Sequence, residues 1–415
     1  LHLLSRRQRQ MCIRDRNISF RALDAERGTI EIGNHFLFTD LSEFEFRWEQ
    51  VCGGEFLRGA SFYFALAPGK TRLLELELNR ICRKECYLNL SVLLREDTPW
   101  AKAGTEIARA QFVSNPMAIG RRFARPEKYL TILESYGALS IQGESLCVRF
   151  SRRTGQLVSL CRKGQEYLSA PLRPSFWRAC TDNDRGNHMP VRCAVWRFAG
   201  QNCIYAPYTV AAQDAPRGVV RVTSRFIIPS EPACDGVLTY TITQAGVLVE
   251  LQFQPDGRLP ELPEVGVCFE TAASYESLAY LGRGPQENYS DRQAAADIGL
   301  YNIPIDEMYV PYLRPQENGA RTDVRFASLQ GEKRSLRIES VEETPFTLSV
   351  CRWSPEELEA ATHEKDLPES GRLFVRVLAR QAGLGGDNSW GALPQEQHRL
   401  PSGRPYQLRF ALIPE

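Results

Sequence analysis

The sequence predicts an all-β chain, a small antiparallel β-sandwich followed by a much larger two-sheet sandwich. Short apolar runs alternate with polar residues at period two, and turn residues punctuate them at short intervals. No stretch interleaves strands with helical patterns of ten or more residues, which excludes a (β/α)8 barrel. At 415 residues the chain has the length for two or three domains with sizeable cores.

From Asn17 the elements follow in order. Phe44, Phe46 and Trp48 alternate with Glu43, Glu45, Arg47 and Glu49, the pattern of a half-buried strand. Gly53-Gly54 and Pro68-Gly69 supply turns. Leu74, Leu76 and Leu78 alternate with Glu75, Glu77 and Asn79, and Cys86, Leu88, Leu90, Val92 and Leu94 line one face of a further strand. Strands this short and this closely spaced over about 100 residues predict an immunoglobulin-like sandwich, here residues 17–125. Domains of this kind are mostly spacers, and no chemistry is assigned to it. Turn residues and arginines interrupt the alternation between Asn115-Pro116 and Arg125-Pro126, which places the boundary there.

Beyond it, strands are expected at Ser145–Phe150, Val219–Ile228, Val237–Thr243, Val247–Phe253, Val265–Phe269 and Leu336–Ile338. Residues 126–415 therefore read as one large two-sheet sandwich. One helix signal stands out. Ser354-Pro355-Glu356-Glu357 combines an N-cap serine, proline at the first helical position and a capping-box glutamate, so a helix should run to about Thr362 and stop before Pro368.

Composition narrows the function classes. A formal net charge of +1 offers no electrostatic case for nucleic acid or an anionic membrane. No apolar run approaches the roughly 18–20 residues that span a bilayer, so the chain reads as soluble. Twelve cysteines without CxxC spacing, Cys82 and Cys86 being the closest, suggest reduced thiols in a cytoplasmic protein. Residues 1–16 carry five arginines against one aspartate and fit nothing downstream. Met11-Cys12-Ile13-Arg14-Asp15-Arg16 looks like translated sequencing-adapter DNA, so this segment is expected to be a foreign or disordered tail on a chain that begins mid-gene.

The most specific stretch is Tyr280-Leu281-Gly282-Arg283-Gly284-Pro285-Gln286-Glu287-Asn288-Tyr289-Ser290-Asp291-Arg292. An apolar strand runs into two glycines and a proline and must turn sharply, and a dense polar set follows. A second cluster comes at Met308-Tyr309-Val310-Pro311-Tyr312 and Pro315-Gln316-Glu317-Asn318-Gly319. Spacing alone would suit two ordinary surface turns. The residues themselves resemble the C-terminal domain of β-galactosidases of glycoside hydrolase family 2. The resemblance recurs in order along most of the chain, including Gly104-Thr105-Glu106-Ile107-Ala108.

That resemblance implies a galactose-mutarotase-like "supersandwich" for residues 126–415. It also implies a whole enzyme that hydrolyses terminal β-D-galactosides such as lactose with retention. Retaining glycosidases need two carboxylates about 5–5.5 Å apart. Asp182, Asp184, Glu287, Glu317 and Asp387 could each be proposed, but none is marked as a pair, and each lies where carboxylates usually cap backbone amides. In the resembled family both catalytic glutamates lie on a barrel that this chain lacks. No catalytic residue and no cofactor is therefore predicted here. Mg and Na, an N-terminal barrel-containing partner and homo-oligomerisation are what the resemblance implies for the complete enzyme.

Two loops are the candidate site. Arg178–Met189 contains Asp182, Asn183, Asp184 and Arg185, a set that can bond its own backbone and present side chains rigidly. Its family counterpart borders the active-site mouth and includes a mobile loop mapping to about Gly186–Arg192. Some members hold a metal there through a glutamate. His188 and Met189 stand in its place, and a lone histidine makes no zinc pattern. The second loop is Gly383–Gly391, with Asp387, Asn388, Ser389 and Trp390. Trp390 either packs on its own sandwich or offers its indole face to a sugar. Similar loops in the family place this tryptophan in the active-site cleft, and the platform reading is favoured. Asp182, Asp184, Arg185, His188, Asp387, Asn388 and Trp390 are the expected substrate-binding residues.

Three functions compete: the C-terminal part of a β-galactosidase, as a truncated chain or a small subunit; a free-standing carbohydrate-binding module; and a mutarotase- or lyase-like enzyme on the same sandwich. The last needs an acid and a base, typically involving histidine, for which His188 is the best placed of five.

Overall fold

A computed structural model describes residues 17–79, 84–116, 129–212, 214–341, 344–388 and 390–415. The expected foreign tail, Cys82 and most of the expected boundary segment lie outside them. Among the described residues no helix is long and apolar enough to cross a membrane.

The chain is all-β, as expected, and divides into two compact units. The first takes in the described residues up to 116 together with Ala294–Leu300. Its described residues form a sandwich of a three-stranded and a four-stranded sheet. Strands Ile18–Asp24, Thr29–Asn34 and Thr71–Glu75 form one sheet, and Glu55–Phe62, Phe44–Cys52, Cys86–Leu94 and Glu106–Asn115 the other. Its core is the set that period-two alternation selects: Ile30, Ile32, Phe46, Trp48, Leu88, Leu90 and Val92 are all buried. The Ala294–Leu300 segment joins through Gln111, whose side-chain amide donates to Ile298 O at 2.8 Å and accepts from Ile298 N at 2.8 Å. A boundary drawn along the sequence cannot see such a return.

One expectation fails in this unit. Cys52 and Cys86 form a disulfide. Thiol spacing suggested reduced cysteines throughout, but the antiparallel register of Phe44–Cys52 on Cys86–Leu94 sets these two residues directly opposite each other. Spatial pairing, not sequence spacing, decides which cysteines can bond.

The second unit holds the rest, and each strand expected within it is present with its ends shifted by a few residues. Strands Val220–Ile228, Cys234–Thr243, Gly246–Phe253, Tyr406–Pro414, Ser335–Ser340, Phe326–Gln330 and Ser277–Gly284 run side by side in its largest sheet. A five-stranded sheet orders Ala170–Ser175, Glu264–Ala272, Arg372–Gln381, Phe346–Cys351 and Arg321–Val324. A core that includes Phe176, Trp196, Phe226 and Phe253 is buried within this unit.

The helix expected after Ser354 runs Pro355–Ala360, with the Ser354–Glu357 capping box formed and its end two residues short of the expected one. The loop expected at Arg178–Met189 contains, among the described residues, the short helix α1 (Asp182–Gly186), and α2 (Met189–Arg192) begins at its end. Thr181 caps α1 and Asp184 answers from its third position, a capping box in its own right.

Candidate functional site at the meeting of two loops

All the contacts that shape the candidate site lie in the second unit, and they begin with buried charge. Arg178 is fully buried and meets both carboxylate oxygens of Asp184, at 2.7 and 3.0 Å. The same carboxylate accepts from Thr181 N and Thr181 Oγ1, each at 2.9 Å. Arg178 also donates to Gly383 O at 3.1 Å, at the start of the second loop. One guanidinium thus ties the α1 turn to the tryptophan loop.

Two glycines complete the junction. A Cβ on Gly391 would stand 2.3 Å from the carbonyl carbon of Gly186, and Gly391 has φ +97°. Only glycine fits that approach and that backbone. Asn183 Nδ2 donates to Leu384 O at 3.3 Å, and Asp291 Oδ2 accepts from Gly385 N at 3.0 Å. The last contact brings in the stretch that carries the family resemblance.

Each expected site residue can now be placed. Trp390 is 85% exposed, so it does not pack on its own sandwich. Its backbone N–H donates to Asn388 Oδ1 at 2.9 Å, which also accepts from Ala392 N at 3.3 Å. Asn388 thereby shapes the loop tip. Asp387 is exposed, with Gln395 Nε2 at 3.5 Å from Oδ1, and Ser389 lies outside the described residues. Asp182 is exposed and exchanges hydrogen bonds with Gln316, receiving from Nε2 at 3.3 Å and donating its N–H to Oε1 at 3.2 Å. Arg185 approaches Asp182 at 3.5 Å. His188 is exposed in a left-handed conformation and makes no side-chain cap on α2. Asp184 is the exception in this set: buried and fully engaged, it builds the loop instead of facing outward.

The two polar clusters read as separate turns are one structure. Glu287 accepts from Arg292 at 2.8 Å, Tyr312 Oη at 2.6 Å and Gly319 N at 2.8 Å. Asn288, fully buried, donates to Arg283 O and Gln286 O and accepts from Thr322. Gln316, from the second cluster, then reaches Asp182.

Sequence reasoning missed the charged group behind this scaffold. Arg376 donates to Glu264 at 2.6 Å and to both oxygens of Glu317 at 2.8 Å, with Gln381 and Ser349 completing the set. The available signal was an arginine inside the apolar run Leu373–Leu378, where a sheet side chain has no route to water. The structure does bring two carboxylates together here. They share one guanidinium and are buried, so no substrate reaches them. Burial pushes Glu264 up to about 7 against the pull of Arg376, and the charge of Glu317 pushes it the same way.

Among the described residues no group of three or more His, Cys, Asp or Glu is placed to hold a metal ion. A separate cleft of about 1390 Å3 opens elsewhere on the second unit, lined by Tyr289, Thr322, Gln381, His398 and Tyr406 among others. None of the seven candidate residues lines it. Of the seven, Asp184 lines a small pocket between the loops with Arg178, Met189 and Gly383.

Residues 142–412 match the family model described as β-galactosidase small chain, and residues 30–115 match β-galactosidase, domain 4. The chain is 35% identical over 408 residues to a β-galactosidase of Priestia megaterium, covering 96% of this chain and 38% of that protein. A Streptococcus thermophilus β-galactosidase is 30% identical over 389 residues, covering 93% and 37%. Among solved structures, a galactose 1-epimerase from Lactobacillus acidophilus is similar at 9% identity and TM-score 0.40, covering 70% of this chain and 99% of that one. The chain thus spans under two-fifths of the length of the curated relatives it matches. With the small-chain model matched across most of its length, the chain belongs to the β-galactosidase family, as a part corresponding to the C-terminal region of such enzymes.

Proposed function

We propose that this chain is the C-terminal portion of a retaining β-galactosidase that acts on terminal β-D-galactosides, and that it supplies part of the rim of the active site. The observation that carries the proposal is Trp390. Its large apolar face is solvent-exposed, at a high cost in hydration, on a loop locked to the α1 turn through Gly186, Gly391 and Arg178. An indole held outward on a rigid base suits stacking against the CH groups of a pyranose, and Asp182, Arg185 and His188 stand on the same pair of loops. The catalytic carboxylates, and the Mg and Na implied by the family, belong in this reading to the N-terminal partner region, and the complete enzyme is a homo-oligomer.

The test is hydrolysis of an aryl β-galactoside by residues 17–415, alone and mixed with the N-terminal part of a related β-galactosidase. Activity is expected in the mixture only. In that mixture Trp390→Ala should raise KM about threefold to tenfold, the scale of one aromatic stacking contact, and Trp390→Phe should restore most of it. Turnover by the chain alone would sink the proposal in favour of an enzyme on this sandwich. Saturable sugar binding without any complementation would favour a carbohydrate-binding module.

A further inference from the structure

Strand Leu146–Ser151 pairs antiparallel with Leu157–Arg162, and the register sets Cys147 directly opposite Cys161. Directly opposed residues on one antiparallel pair share a face. Leu146, Val148 and Leu160 fill the core on the other face, so both cysteines point to the outer one. There they stand in a row across four strands, Gln142, Cys147, Cys161 and Glu166. Both are free thiols and both are partly exposed.

Opposed residues in an antiparallel pair have Cα atoms about 4.5–5.5 Å apart, inside the range of about 4.4–6.8 Å that a disulfide spans. Cys52 and Cys86 occupy the same kind of directly opposed register in the first unit and are bonded. The register thus places the two free thiols opposite each other on neighbouring strands, as it does Cys52 and Cys86. We propose that Cys147 and Cys161 form a dithiol site for low-molecular-weight disulfides, through which this hairpin acquires a cross-strand disulfide.

The exchange balances in two steps. The Cys147 thiolate attacks one sulfur of glutathione disulfide, that S–S bond breaks, and glutathione leaves as a thiolate that takes up a proton. Cys161 then loses its proton and attacks the Cys147 sulfur of the mixed disulfide, releasing the second glutathione. Two protein thiols become one disulfide and glutathione disulfide is reduced to two thiols. Entry is assigned to Cys147 because Cys161 stands opposite the Glu166 carboxylate, which disfavours its thiolate. Burial pushes the Cys161 thiol up, and the Glu166 carboxylate beside it adds to the effect. Glu166 is fixed there by Ser159 Oγ and by the backbone N–H groups of Leu160, Tyr167 and Leu168.

The experiment treats the full chain with glutathione disulfide, caps the remaining thiols with iodoacetamide and maps the peptides by mass spectrometry. The expected main product is a Cys147–Cys161 cross-link. Cys161→Ser should stop at a glutathione adduct on Cys147, whereas Cys147→Ser should show at least about tenfold less adduct on Cys161. Capping of both thiols in the treated wild-type chain would overturn the proposal. So would equal adducts in the two single variants, because the thiols would then react independently.

Discussion

Replacing Arg376 by alanine should destabilise the second unit by about 3–5 kcal/mol, the cost of stranding a buried charge. Here the loss would strand two, because Glu264 and Glu317 both rest on this guanidinium and neither reaches water. Such a loss is a large fraction of the roughly 5–15 kcal/mol that holds a typical domain together. Chemical denaturation of wild type and variant measures it. A change below about 1 kcal/mol would mean that the carboxylates are protonated or solvated in the native state. Arg376→Ala combined with Glu264→Gln and Glu317→Gln should recover part of the loss, since no buried anion then remains.

The same group predicts a pH dependence with a defined sign. Glu264 is raised from 4.5 to about 7, so between those values the folded chain binds more protons there than the unfolded one. Stability from this group is then fully present below about 4.5 and is lost as the pH rises through about 7. The unfolding midpoint of wild type relative to Glu264→Gln should therefore fall between about pH 5 and about pH 8. A difference that stays flat across that window would show that Glu264 is ionised throughout.

The second large effect concerns the junction of the two loops. Asp184→Ala should cost about 3–5 kcal/mol as well, because Arg178 would be left buried without its counter-charge. Unlike Arg376, Arg178 also holds Gly383 O, and Asp184 caps α1 through Thr181. The variant should consequently lose complemented β-galactosidase activity at temperatures where its strands remain folded by circular dichroism. Loss of activity in strict proportion to loss of strand signal would point to a purely global effect. Asp184→Asn keeps the side-chain shape but removes the charge and turns one accepting oxygen into a donor facing Arg178 or Thr181, so it should also destabilise this junction.

Much of this protein was legible in one dimension. Period-two alternation in Phe44–Trp48 and Cys86–Leu94 is imposed by the pleat, which sends successive side chains to opposite faces, so it marks both strand and core directly. The Ser354 capping box is equally local, and so is the glycine-rich loop that presents Trp390. Local chemistry also misled once at close range. Thr181-Asp182-Asn183-Asp184 looked like a self-bonding turn, yet the same hydrogen bonds start a helix.

What the sequence determined by itself, then, was the strand pattern, the family motifs and the two candidate loops, because each depends on neighbours a few residues away. Only the tertiary structure decided that Asp184 is buried while Asp182 is exposed, that Glu264 and Glu317 share Arg376, and that Cys52 bonds Cys86 while Cys147 faces Cys161. It also decided that Gly186 meets Gly391 and joins the two loops. Those pairings join residues tens to hundreds of positions apart through antiparallel register and close packing. Register is a property of two strands together, and no single stretch of chain encodes it.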